Sequence, residues 1–516
     1  MHKQIVIIGG GYAGISIAKK LEKRLHNDDV GILVIDKNPF HTMLTELHEV
    51  AADRVSPDAI AISFDKIFYG RNIEFVKDQI GHIDFENSMI SGNIKSYSYD
   101  YLVIAAGSTP TYFGVAGAKA NSFPLWSYED AVRIRDHIRD CFLSALKSDD
   151  PQERKSLLTF SVIGAGFTGI EMSGELAEWS KLLCNEFKIS FSDVQINCID
   201  VLDRVVPSFK EKTSDKIKTR LENMGVRLLL STNVKEIMPE AVETSNGTIY
   251  SKTTIWAAGT DGAEIIQTAS VDIETTCRFR IKTNSRLQEI NHENIYAAGD
   301  AIFYIPDNSD KPVPQMVENA ENCSEVIAHN LCCQIKKIDK FTEYLPVFHG
   351  SMVSIGSRYA VAEVGSEKNA YSLPSFFAML LKHFINIFYF ISVAGFNKSY
   401  SYISHEFFHV KNRRSILGGH FSAHTPNFLM VPLRIFLGSF WLIEALKKVS
   451  DGWLSSMKLT AFFSGAEKYF ANAISGLSSS AADTATAATA VADSGAEVIF
   501  NFNIFGIIKP TFIKGG

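Results

Sequence analysis

Short apolar runs alternate with amphipathic stretches through the first two-thirds of the chain. A short, continuous apolar run is typical of a strand buried on both faces, and an amphipathic stretch is typical of a helix that covers a sheet. The alternation therefore predicts an α/β fold built on parallel sheets. The runs predicted as strands are Ile5–Ile8, Ile32–Ile35, Tyr101–Ala105, Phe160–Ile163, Ile196–Ile199, Thr254–Ala257 and Ile295–Ala297.

The pattern changes from residue 336 onward. Residues 373–394 are rich in Phe and almost uncharged, and their few polar residues share one helical face. This distribution predicts an interfacial amphipathic helix rather than a membrane span, within a membrane-docking region at 336–425. The polar residues of this helix are Ser375, Lys382, His383, Asn386 and Tyr389.

Two further segments follow the docking region. Residues 426–450 are predicted as a transmembrane helix, although Arg434 is costly near the centre of a span and Glu444 adds a second charge. Residues 451–516 contain a Ser/Ala/Thr-rich low-complexity linker and end in an apolar tail. Together these segments predict a C-terminal membrane-associated helical region.

Composition and charge exclude several classes of protein. The 516 residues carry 51 Lys+Arg against 57 Asp+Glu, a net charge of −6, which disfavours a basic nucleic-acid binder. Hydrophobic residues make up 46% of the chain, which excludes wholesale disorder. The apolar run near the N-terminus is too short for a secretory signal, so the N-terminal body is expected in the cytoplasm. The seven Cys form no C-x-x-C pair, which disfavours a zinc ribbon or a dithiol active site.

A strand–glycine–helix unit opens the chain. Gly9, Gly11 and Gly14 form a G-x-G-x-x-G turn after the first predicted strand, and the second strand ends at Asp36. These glycines permit a tight turn, close approach of a pyrophosphate and close packing of helix on strand, while the acid accepts hydrogen bonds from a ribose. The unit predicts a dinucleotide site.

The same unit recurs near residue 160. Gly164, Gly166 and Gly169 repeat the turn, and Asp200 ends the following strand. Two units imply two dinucleotides. The alternative is one working site and one decayed copy, but the second copy keeps all three glycines and the acid.

Three further strand ends complete the pattern. Gly299-Asp300 ends one strand and precedes a helix predicted at 315–331, whose N-terminus can face the pyrimidine edge of a flavin while Asp300 bonds a ribityl hydroxyl. Two other predicted strands end in two small residues followed by a glycine. The first ends at Ala106 and Gly107, and the second ends at Gly259. In register with the other signals, they look like the crossovers of a two-dinucleotide flavoprotein.

This ordered set resembles the two-dinucleotide flavin reductases of glutathione-reductase-like fold. Within them it resembles the type II NADH:quinone oxidoreductases, the non-pumping respiratory NADH dehydrogenases. The more specific matches lie at 38–52, 123–131, 166–177 and 349–356, and the resemblance covers roughly residues 1–395. The remainder is similar to C-terminally extended members from Gram-positive bacteria, including those that feed electrons outward.

The resemblance implies a role for each matching residue. A discontinuous FAD domain (1–115 and 280–335) would flank an NADH domain (116–279). Residues expected to hold FAD are Gly9, Gly11, Gly14, Asp36, Ala106, Gly107 and Asp300. Residues expected to hold NADH are Gly164, Gly166, Gly169, Asp200 and Gly259.

Two residues are implied at the reacting centre. Glu171 would lie where nicotinamide meets flavin, handling a proton or positioning the nicotinamide; the alternative is a carboxylate on a helix surface. Gln315 matches one position of the family's quinone signature, Ala-Gln followed three residues later by Gln. Pro314 and Asn319 stand at the other two positions.

The function that the resemblance implies is FAD-dependent oxidation of NADH, with two electrons passed to a membrane quinone, menaquinone being expected, and no proton pumping. The electrons would feed respiration or extracellular acceptors. The catalytic domains would lie on the cytoplasmic face of a bacterial membrane, with the bilayer as a partner and a homodimer left open. The alternatives are a sulfide:quinone oxidoreductase, for which Cys323 would be one of two required cysteines, and a membrane-tethered flavin-binding sensor or scaffold.

Two histidine pairs complete the sequence signals. His405, Glu406 and His409 match H-E-x-x-H, the pattern of a zinc protease, but no third ligand follows at a suitable spacing and the flanks are aromatic. His420 and His424 form a second pair. Solvated or interfacial histidines are the default interpretation, and no metal site is predicted.

Overall fold

A computed structural model describes residues 2–307, 309–365, 370–418, 430–453, 463–472, 498–501 and 511–513. The chain divides into two compact units, Met1–Phe428 and Leu429–Gly516. The helices are α1 (Tyr12–Leu25), α2 (Leu47–Ala51), α3 (Pro57–Ile60), α4 (Phe64–Ile67), α5 (Ala118–Asn121), α6 (Tyr128–Lys147), α7 (Pro151–Leu157), α8 (Phe167–Phe187), α9 (Glu211–Met224), α10 (Glu264–Ala269), α11 (Val317–Lys336), α12 (Ser375–Ala394), α13 (Phe396–Ile403) and α14 (Val431–Ser450).

The strands are short and numerous. They are β1 (Lys3–Ile8), β2 (Val30–Asp36), β3 (Phe40–Thr42), β4 (Ala61–Ser63), β5 (Glu74–Lys77), β6 (Ile80–Asp84), β7 (Met89–Gly92), β8 (Ser96–Ser98), β9 (Tyr101–Ile104), β10 (Ser108–Pro110), β11 (Phe123–Pro124), β12 (Thr159–Ile163), β13 (Gln195–Ile199), β14 (Val226–Leu229), β15 (Val234–Met238), β16 (Ala241–Thr244), β17 (Gly247–Tyr250), β18 (Thr253–Trp256), β19 (Thr260–Gly262), β20 (Ile281–Lys282), β21 (Gln288–Glu289), β22 (His292–Ala297), β23 (Ile302–Phe303), β24 (Gly350–Ser354), β25 (Ala360–Val364), β26 (Tyr371–Leu373), β27 (Val498–Asn501) and β28 (Thr511–Ile513).

The first sheet has the order β21-β22-β9-β1-β2-β5. All neighbouring pairs are parallel except β21 with β22. Ile5, Val6 and Ile7 on the central strand β1 are fully buried, as expected for a parallel strand covered on both faces. The sheet takes strands from both the start of the chain and residues 288–297, so the carboxyl ends of these distant strands lie side by side.

A second parallel sheet has the order β11-β18-β12-β13-β14. In it, β12–α8–β13 repeats the succession β1–α1–β2 of the first sheet. The α/β class and the two Rossmann-like units predicted from the sequence are confirmed. A small antiparallel sheet, β24-β25-β26, then leads directly into α12.

Helix α12 presents its polar residues to the protein and its large apolar residues outward. Lys382, His383 and Asn386 are buried, so the shared polar face found in the sequence packs inward. Among the described residues, α12 is the one helix with the length and apolarity that a membrane span requires, and 39% of its most apolar window is buried. The exposed side chains on this helix are Phe376, Phe377, Leu380, Phe384, Ile385 and Phe388.

Two C-terminal predictions are only partly covered by the described residues. Helix α14 forms within the predicted segment 426–450 and has no buried residue, and its role as a membrane span stays a prediction. Most of the linker and tail predicted at 451–516 lies outside the described residues.

The helix predicted at 315–331 occupies Val317–Lys336 instead. Met316, which precedes it, is extended (φ −153°, ψ 160°). Gln315 therefore belongs to the approach to the helix rather than to its first turn.

Candidate functional site

The first glycine turn joins β1 to α1. Gly9 adopts φ +103°, and a Cβ there would lie 2.3 Å from the carbonyl oxygen of Ala105. A Cβ on Gly14 would lie 1.9 Å from the oxygen of Gly9, so helix and turn touch. A Cβ on Gly11, by contrast, would meet no atom within 4 Å. The turn is therefore closed toward the protein and open at the N-terminus of α1, where a pyrophosphate binds in such units.

Asp36 lies beside this turn at the end of β2. Its Oδ2 accepts the N–H of Gly10 at 2.7 Å, and its Oδ1 accepts the N–H of Asn38 at 2.8 Å. Burial raises the pKa of this carboxyl, against the effect of the two backbone donors. The carboxylate is thus fixed at the edge of the sheet where the ribose of a dinucleotide lies.

The second turn repeats this geometry. Gly164 adopts φ +107° against the carbonyl of Ala257, a Cβ on Gly169 would lie 1.8 Å from the oxygen of Gly164, and Gly166 faces open space. Asp200 accepts the N–H of Ala165 at 2.5 Å and that of Leu202 at 2.8 Å. Both turns therefore share one geometry, open at the N-terminus of the helix and flanked by a fixed carboxylate, and dinucleotide binding at each stays a prediction.

Asp300, Gln315 and Thr260 come together from three separate parts of the chain: the end of β22, the approach to α11 and the start of β19. Asp300 lies in a short 3-10 helix, Gly299–Ala301, and accepts the hydroxyl of Ser108 at 2.9 Å. Burial raises the pKa of Asp300. The Gln315 amide nitrogen donates to the Asp300 backbone oxygen at 3.3 Å, and its oxygen accepts the hydroxyl of Thr260 at 3.1 Å. Thr260 directly follows Gly259. Three residues predicted from the sequence, Asp300, Gln315 and Gly259, therefore lie close together.

The crossover at Ala106 and Gly107 borders the same place. Gly107 adopts φ +71°, and a Cβ there would meet no atom within 4 Å. The next residue is the Ser108 that bonds Asp300. The open side of Gly107 therefore leaves room for a ligand beside Asp300.

Glu171 lies in the second turn of α8 and is held from two sides. Its Oε1 accepts both the N–H and the hydroxyl of Ser354 at 3.1 Å, and its Oε2 lies 3.5 Å from His48 Nδ1. The side chain is 16% exposed. Tertiary contacts from β24 and α2 therefore hold this carboxylate, and its role at the reacting centre stays a prediction.

A set of buried charged residues lies behind Glu171, and sequence reasoning missed it. We call it the buried ionic cluster: Glu46, Glu49, Arg54, Glu175, Lys382, Glu406 and Arg414. The only local signal was a charge inside an apolar stretch, such as Lys382 among phenylalanines. The partners lie far apart along the chain, so spacing could not pair them.

The contacts within the buried ionic cluster are ion pairs. Arg54 pairs with Glu49, with Glu175 at 3.1 Å and with Glu406 at 3.7 Å. Lys382 lies 3.1 Å from Glu46 and 2.5 Å from Glu49. The cluster therefore joins α2, α8 and α12 to the segment after α13, and a further ion pair joins Arg414 to Glu175.

Comparison with known proteins identifies the family. The sequence model of the family described as pyridine nucleotide-disulphide oxidoreductase matches residues 3–323. The chain belongs to the pyridine nucleotide-disulphide oxidoreductase family.

Two curated relatives share the name type II NADH:quinone oxidoreductase. The type II NADH:quinone oxidoreductase of Staphylococcus haemolyticus is 28% identical over 367 residues, which are 70% of this chain and 90% of the relative. The enzyme of the same name from Staphylococcus aureus is 28% identical over 371 residues, with the same coverage. The resemblance to type II NADH:quinone oxidoreductases predicted from the sequence is confirmed.

Solved structures share the fold. NDH2 from Plasmodium falciparum, in complex with NADH, has a TM-score of 0.69 at 17% identity and covers 78% of this chain and 96% of its own. The sulfide:quinone oxidoreductase from Aquifex aeolicus has a TM-score of 0.60 at 19% identity and covers 76% of this chain and 91% of its own.

The disulphide that names the family has no counterpart among the seven cysteines, which are all free. Cys323, the candidate for a sulfide-oxidising pair, is fully buried, and its thiol contacts the Asn319 amide oxygen at 3.8 Å. Burial raises its pKa to about 11, which disfavours the thiolate that such chemistry needs. Among the described residues, no two cysteines form a disulphide.

Asn319, which replaces the second Gln of the quinone signature, is fully buried. Its amide nitrogen donates to the Gly299 oxygen at 3.2 Å, and its oxygen accepts the Tyr344 hydroxyl at 2.6 Å. The bond to Gly299 ties α11 to the 3-10 helix that carries Asp300, and the bond to Tyr344 ties α11 to the segment before β24. Asn319 thus supports the region around Asp300 from inside the fold. Of Gln315 and Asn319, only Gln315 borders that region.

The H-E-x-x-H segment does not adopt the α-helical geometry on which a zinc protease presents its two histidines. Residues 404–408 are a π-helix, which changes the register of His405 and His409, and His409 Nδ1 lies 2.8 Å from the Ser404 hydroxyl. Glu406 belongs to the buried ionic cluster. Within the described part of the chain, no three His, Cys, Asp or Glu residues are grouped to hold a metal. His420 and His424 lie outside the described residues.

Proposed function

We propose that this protein oxidises NADH and passes two electrons to a membrane quinone, with FAD as its bound cofactor. The observation that carries the proposal is the repeated turn geometry: two glycine turns, each open at Gly11 or Gly166 and each flanked by an acid that accepts backbone N–H groups. The reaction takes one proton from the medium, because NADH supplies a hydride and the quinol needs two protons. No charge needs to cross the membrane, so no pumping is expected.

The first turn would hold FAD. Gly9, Gly11, Gly14 and Asp36 would bind its adenine-dinucleotide part, and Ala106, Gly107 and Asp300 would lie along the flavin half. When bound, FAD supplies the acceptor for the hydride and the donor of two electrons to the quinone. The protein's contribution is to orient the reactants, which requires no nucleophilic side chain.

The second turn would hold NADH, through Gly164, Gly166, Gly169, Asp200 and Gly259. The carboxylate of Asp200 favours a ribose 2′-hydroxyl and repels a 2′-phosphate. Arg204, the nearest cation after Asp200, donates to the backbone oxygen of Pro207. We therefore propose a preference for NADH over NADPH, which the positive charge of Arg204 would reduce.

Gln315 and Glu171 would serve the reacting centre. An amide nitrogen carries two hydrogens, so Gln315 can donate one to Asp300 and offer the other to a quinone carbonyl. Glu171, which is held by Ser354 and faces His48, is suited to handle a proton or position the nicotinamide. Both roles stay proposals.

The exposed apolar face of α12 supports docking on a lipid bilayer. Phe384 and Phe388 lie 4.5 Å apart between ring centres and are both more than half exposed. An exposed apolar patch of this kind is typical of a membrane interaction site. Because the polar face packs on the buried ionic cluster, we propose that α12 lies in the interface of the membrane and does not cross it.

The remaining assignments come from the resemblance to Gram-positive relatives. Menaquinone would be the acceptor, and the electrons would pass to respiration or to extracellular acceptors. The catalytic domains would lie on the cytoplasmic face of a bacterial membrane. Whether the protein forms a homodimer is left open. Nucleic acid is not expected as a partner.

Anaerobic titration tests the proposed function. Purified protein should release FAD on heating, lose its flavin absorbance on addition of NADH and regain it on addition of menadione, a soluble quinone. A protein that releases FMN, or one whose flavin NADH does not bleach, would overturn the proposal. If NADH bleaches the flavin but the quinone does not reoxidise it, the proposal of a quinone acceptor is rejected and the proposal of NADH oxidation is retained.

A further inference from the structure

The buried ionic cluster contains one more acid than it has bases. Glu46, Glu49, Glu175 and Glu406 face Arg54, Lys382 and Arg414 within it. A buried charge without a partner is costly, so one carboxyl is expected to keep a proton. Burial raises the pKa of Glu406, while the nearby cations, led by Lys382, hold the pKa of Glu46 below its usual range against the effect of burial. Glu406, whose Oε1 has no partner among the described residues and which lines a small cavity, is the carboxyl placed to take up a proton.

Glu406 faces a cavity at the edge of the cluster. The cavity has a volume of about 10 Å³, close to the room that one water molecule requires, and Glu46, Glu49, Tyr402 and His405 also line it. The side chain of Glu406 is 3% exposed, and its Oε1 has no hydrogen-bond partner among the residues that the structure describes. His405, which precedes it, is exposed to solvent. A water in the cavity would satisfy the carboxyl oxygen and reach the surface through His405.

His48 lies between Glu49, which lines the cavity, and Glu171. Its Nε2 lies 3.9 Å from Glu49 Oε1, and its Nδ1 lies 3.5 Å from Glu171 Oε2. Burial lowers the pKa of His48, so the ring is neutral at rest and can accept a proton at one nitrogen while releasing one from the other. The hydroxyl of Ser354 contacts both residues: it lies 3.3 Å from His48 Nε2 and 3.1 Å from Glu171 Oε1.

We propose that these groups conduct the proton that quinone reduction takes from the medium. The proton enters at His405, crosses the cavity by way of a water to Glu406, moves through Glu49 and His48, and arrives at Glu171. The proposal rests on the proposed function, because only an acceptor that takes up protons needs this path. In each turnover one proton enters at His405 and one leaves Glu171 for the quinone, so the cluster returns to its initial charge.

Other charged groups face the path. Arg54 and Lys382 contact Glu49, and Glu171, Lys382, Glu46 and Glu175 surround His48. The groups around Glu406 are Arg54, Glu46, Glu175, Lys382 and Tyr402. The groups around His405 are His409, Lys398 and Asp58. Arg414 pairs with Glu175 and Glu178 on the opposite side of the cluster.

The test separates proton-dependent from proton-independent reoxidation of the flavin. Glu406→Gln keeps the size and polarity of the side chain but cannot release a proton. In stopped-flow measurements we expect unchanged bleaching by NADH, unchanged reoxidation by ferricyanide, which takes electrons alone, and reoxidation by menadione slowed at least tenfold with a larger solvent deuterium isotope effect. Glu178→Gln is the matched control, since Glu178 also pairs with an arginine of the cluster but lies off the path.

A second variant does not depend on a buried substitution. His405→Gln changes an exposed residue, and we expect slower menadione reoxidation that imidazole in the buffer restores. If Glu406→Gln and His405→Gln both match the wild type with menadione, the path is wrong. If both acceptors are slowed equally, the cluster is only structural and the path is also wrong. If NADH bleaches the wild-type protein and menadione does not reoxidise it, the proposed function fails instead.

Discussion

The hydroxyl of Tyr389 lies 2.8 Å from His41 Nε2, and the other ring nitrogen of His41 lies 3.2 Å from the backbone oxygen of Gly10. One imidazole therefore joins α12, the helix with the exposed apolar face, to the first glycine turn. Burial lowers the pKa of His41 to about 4, so the ring is neutral at pH 7. A neutral ring donates at one nitrogen and accepts at the other, which fits Nδ1–H donating to Gly10 and Nε2 accepting the Tyr389 hydroxyl.

Tyr389→Phe should loosen this junction. The change removes one hydrogen bond and leaves a buried ring nitrogen without its donor, at a cost of ~1–2 kcal/mol. We expect a lower free energy of unfolding in urea and faster loss of flavin on dilution. Tyr371→Phe is the control, because Tyr371 is 74% exposed. Equal stability of the two variants would contradict the prediction.

Asp200→Asn should weaken the preference for NADH over NADPH. The substitution removes the negative charge that repels a 2′-phosphate but keeps an acceptor oxygen for the ribose. We expect the ratio of kcat/KM values for the two cofactors to fall about tenfold, which corresponds to ~1.4 kcal/mol. Asp203→Asn, at an exposed position in the same loop, should leave the ratio unchanged. A wild-type protein that uses both cofactors equally would reject the assignment of Asp200.

Gln315→Ala should impair quinone reduction and spare the bleaching of the flavin by NADH. Loss of one hydrogen bond to a quinone carbonyl, worth ~1 kcal/mol, predicts reoxidation by menadione slowed about fivefold. Gln152→Ala, at an exposed helical position, serves as the control. If the substitution slows bleaching and leaves reoxidation untouched, Gln315 serves the NADH side. Glu171→Gln, measured in the same way, should disturb one or both half-reactions.

Arg54→Met should destabilise the fold at neutral pH. Removing one partner of a buried ion-pair network costs ~3–5 kcal/mol, because the remaining carboxylates lose their compensation. Urea unfolding at pH 7 measures this loss. Arg133→Met, which removes an exposed ion pair with Asp130, should cost under ~1 kcal/mol.

The loss caused by Arg54→Met should shrink in acid. Burial alone would raise the pKa of Glu175, but Arg54 and Arg414 outweigh it and hold this pKa below the ordinary 4.5. The contribution of Glu175 to stability is therefore present above about pH 4.5 and is lost as the pH falls through the lower folded value. The variant lacks this contribution, so the difference in the free energy of unfolding between wild type and variant should narrow as the pH falls below 4.5. A deficit independent of pH would mean that packing, not charge, causes the loss.

Phe384→Ser combined with Phe388→Ser should weaken membrane binding without unfolding the protein. Both rings are exposed, so their loss removes apolar area that a bilayer would bury, at ~25 cal/mol per Å². Co-sedimentation with anionic lipid vesicles in high salt measures the effect. Ile94→Ser, at an apolar residue that is 72% exposed, is the control. Unchanged sedimentation of the double variant would place the anchor elsewhere in the chain.

The glycine turns and their acids could be read from the sequence because they depend on short-range geometry. A turn such as Gly9–Gly14 is built by adjacent residues, and the strand that ends at Asp36 follows the helix directly, so spacing alone reports the shape. The repeat at Gly164–Gly169 strengthened the prediction for the same reason.

The surroundings of Glu171 and the direction of α12 were decided only by the tertiary structure. Ser354 lies 183 residues from Glu171 along the chain, and Lys382 lies 333 residues from Glu49. The pattern along α12 locates a polar face and an apolar face, but either could have turned inward. The polar face is inside because Lys382 and Asn386 find buried carboxylates there, and a buried charge is tolerated only where its partners are already in place.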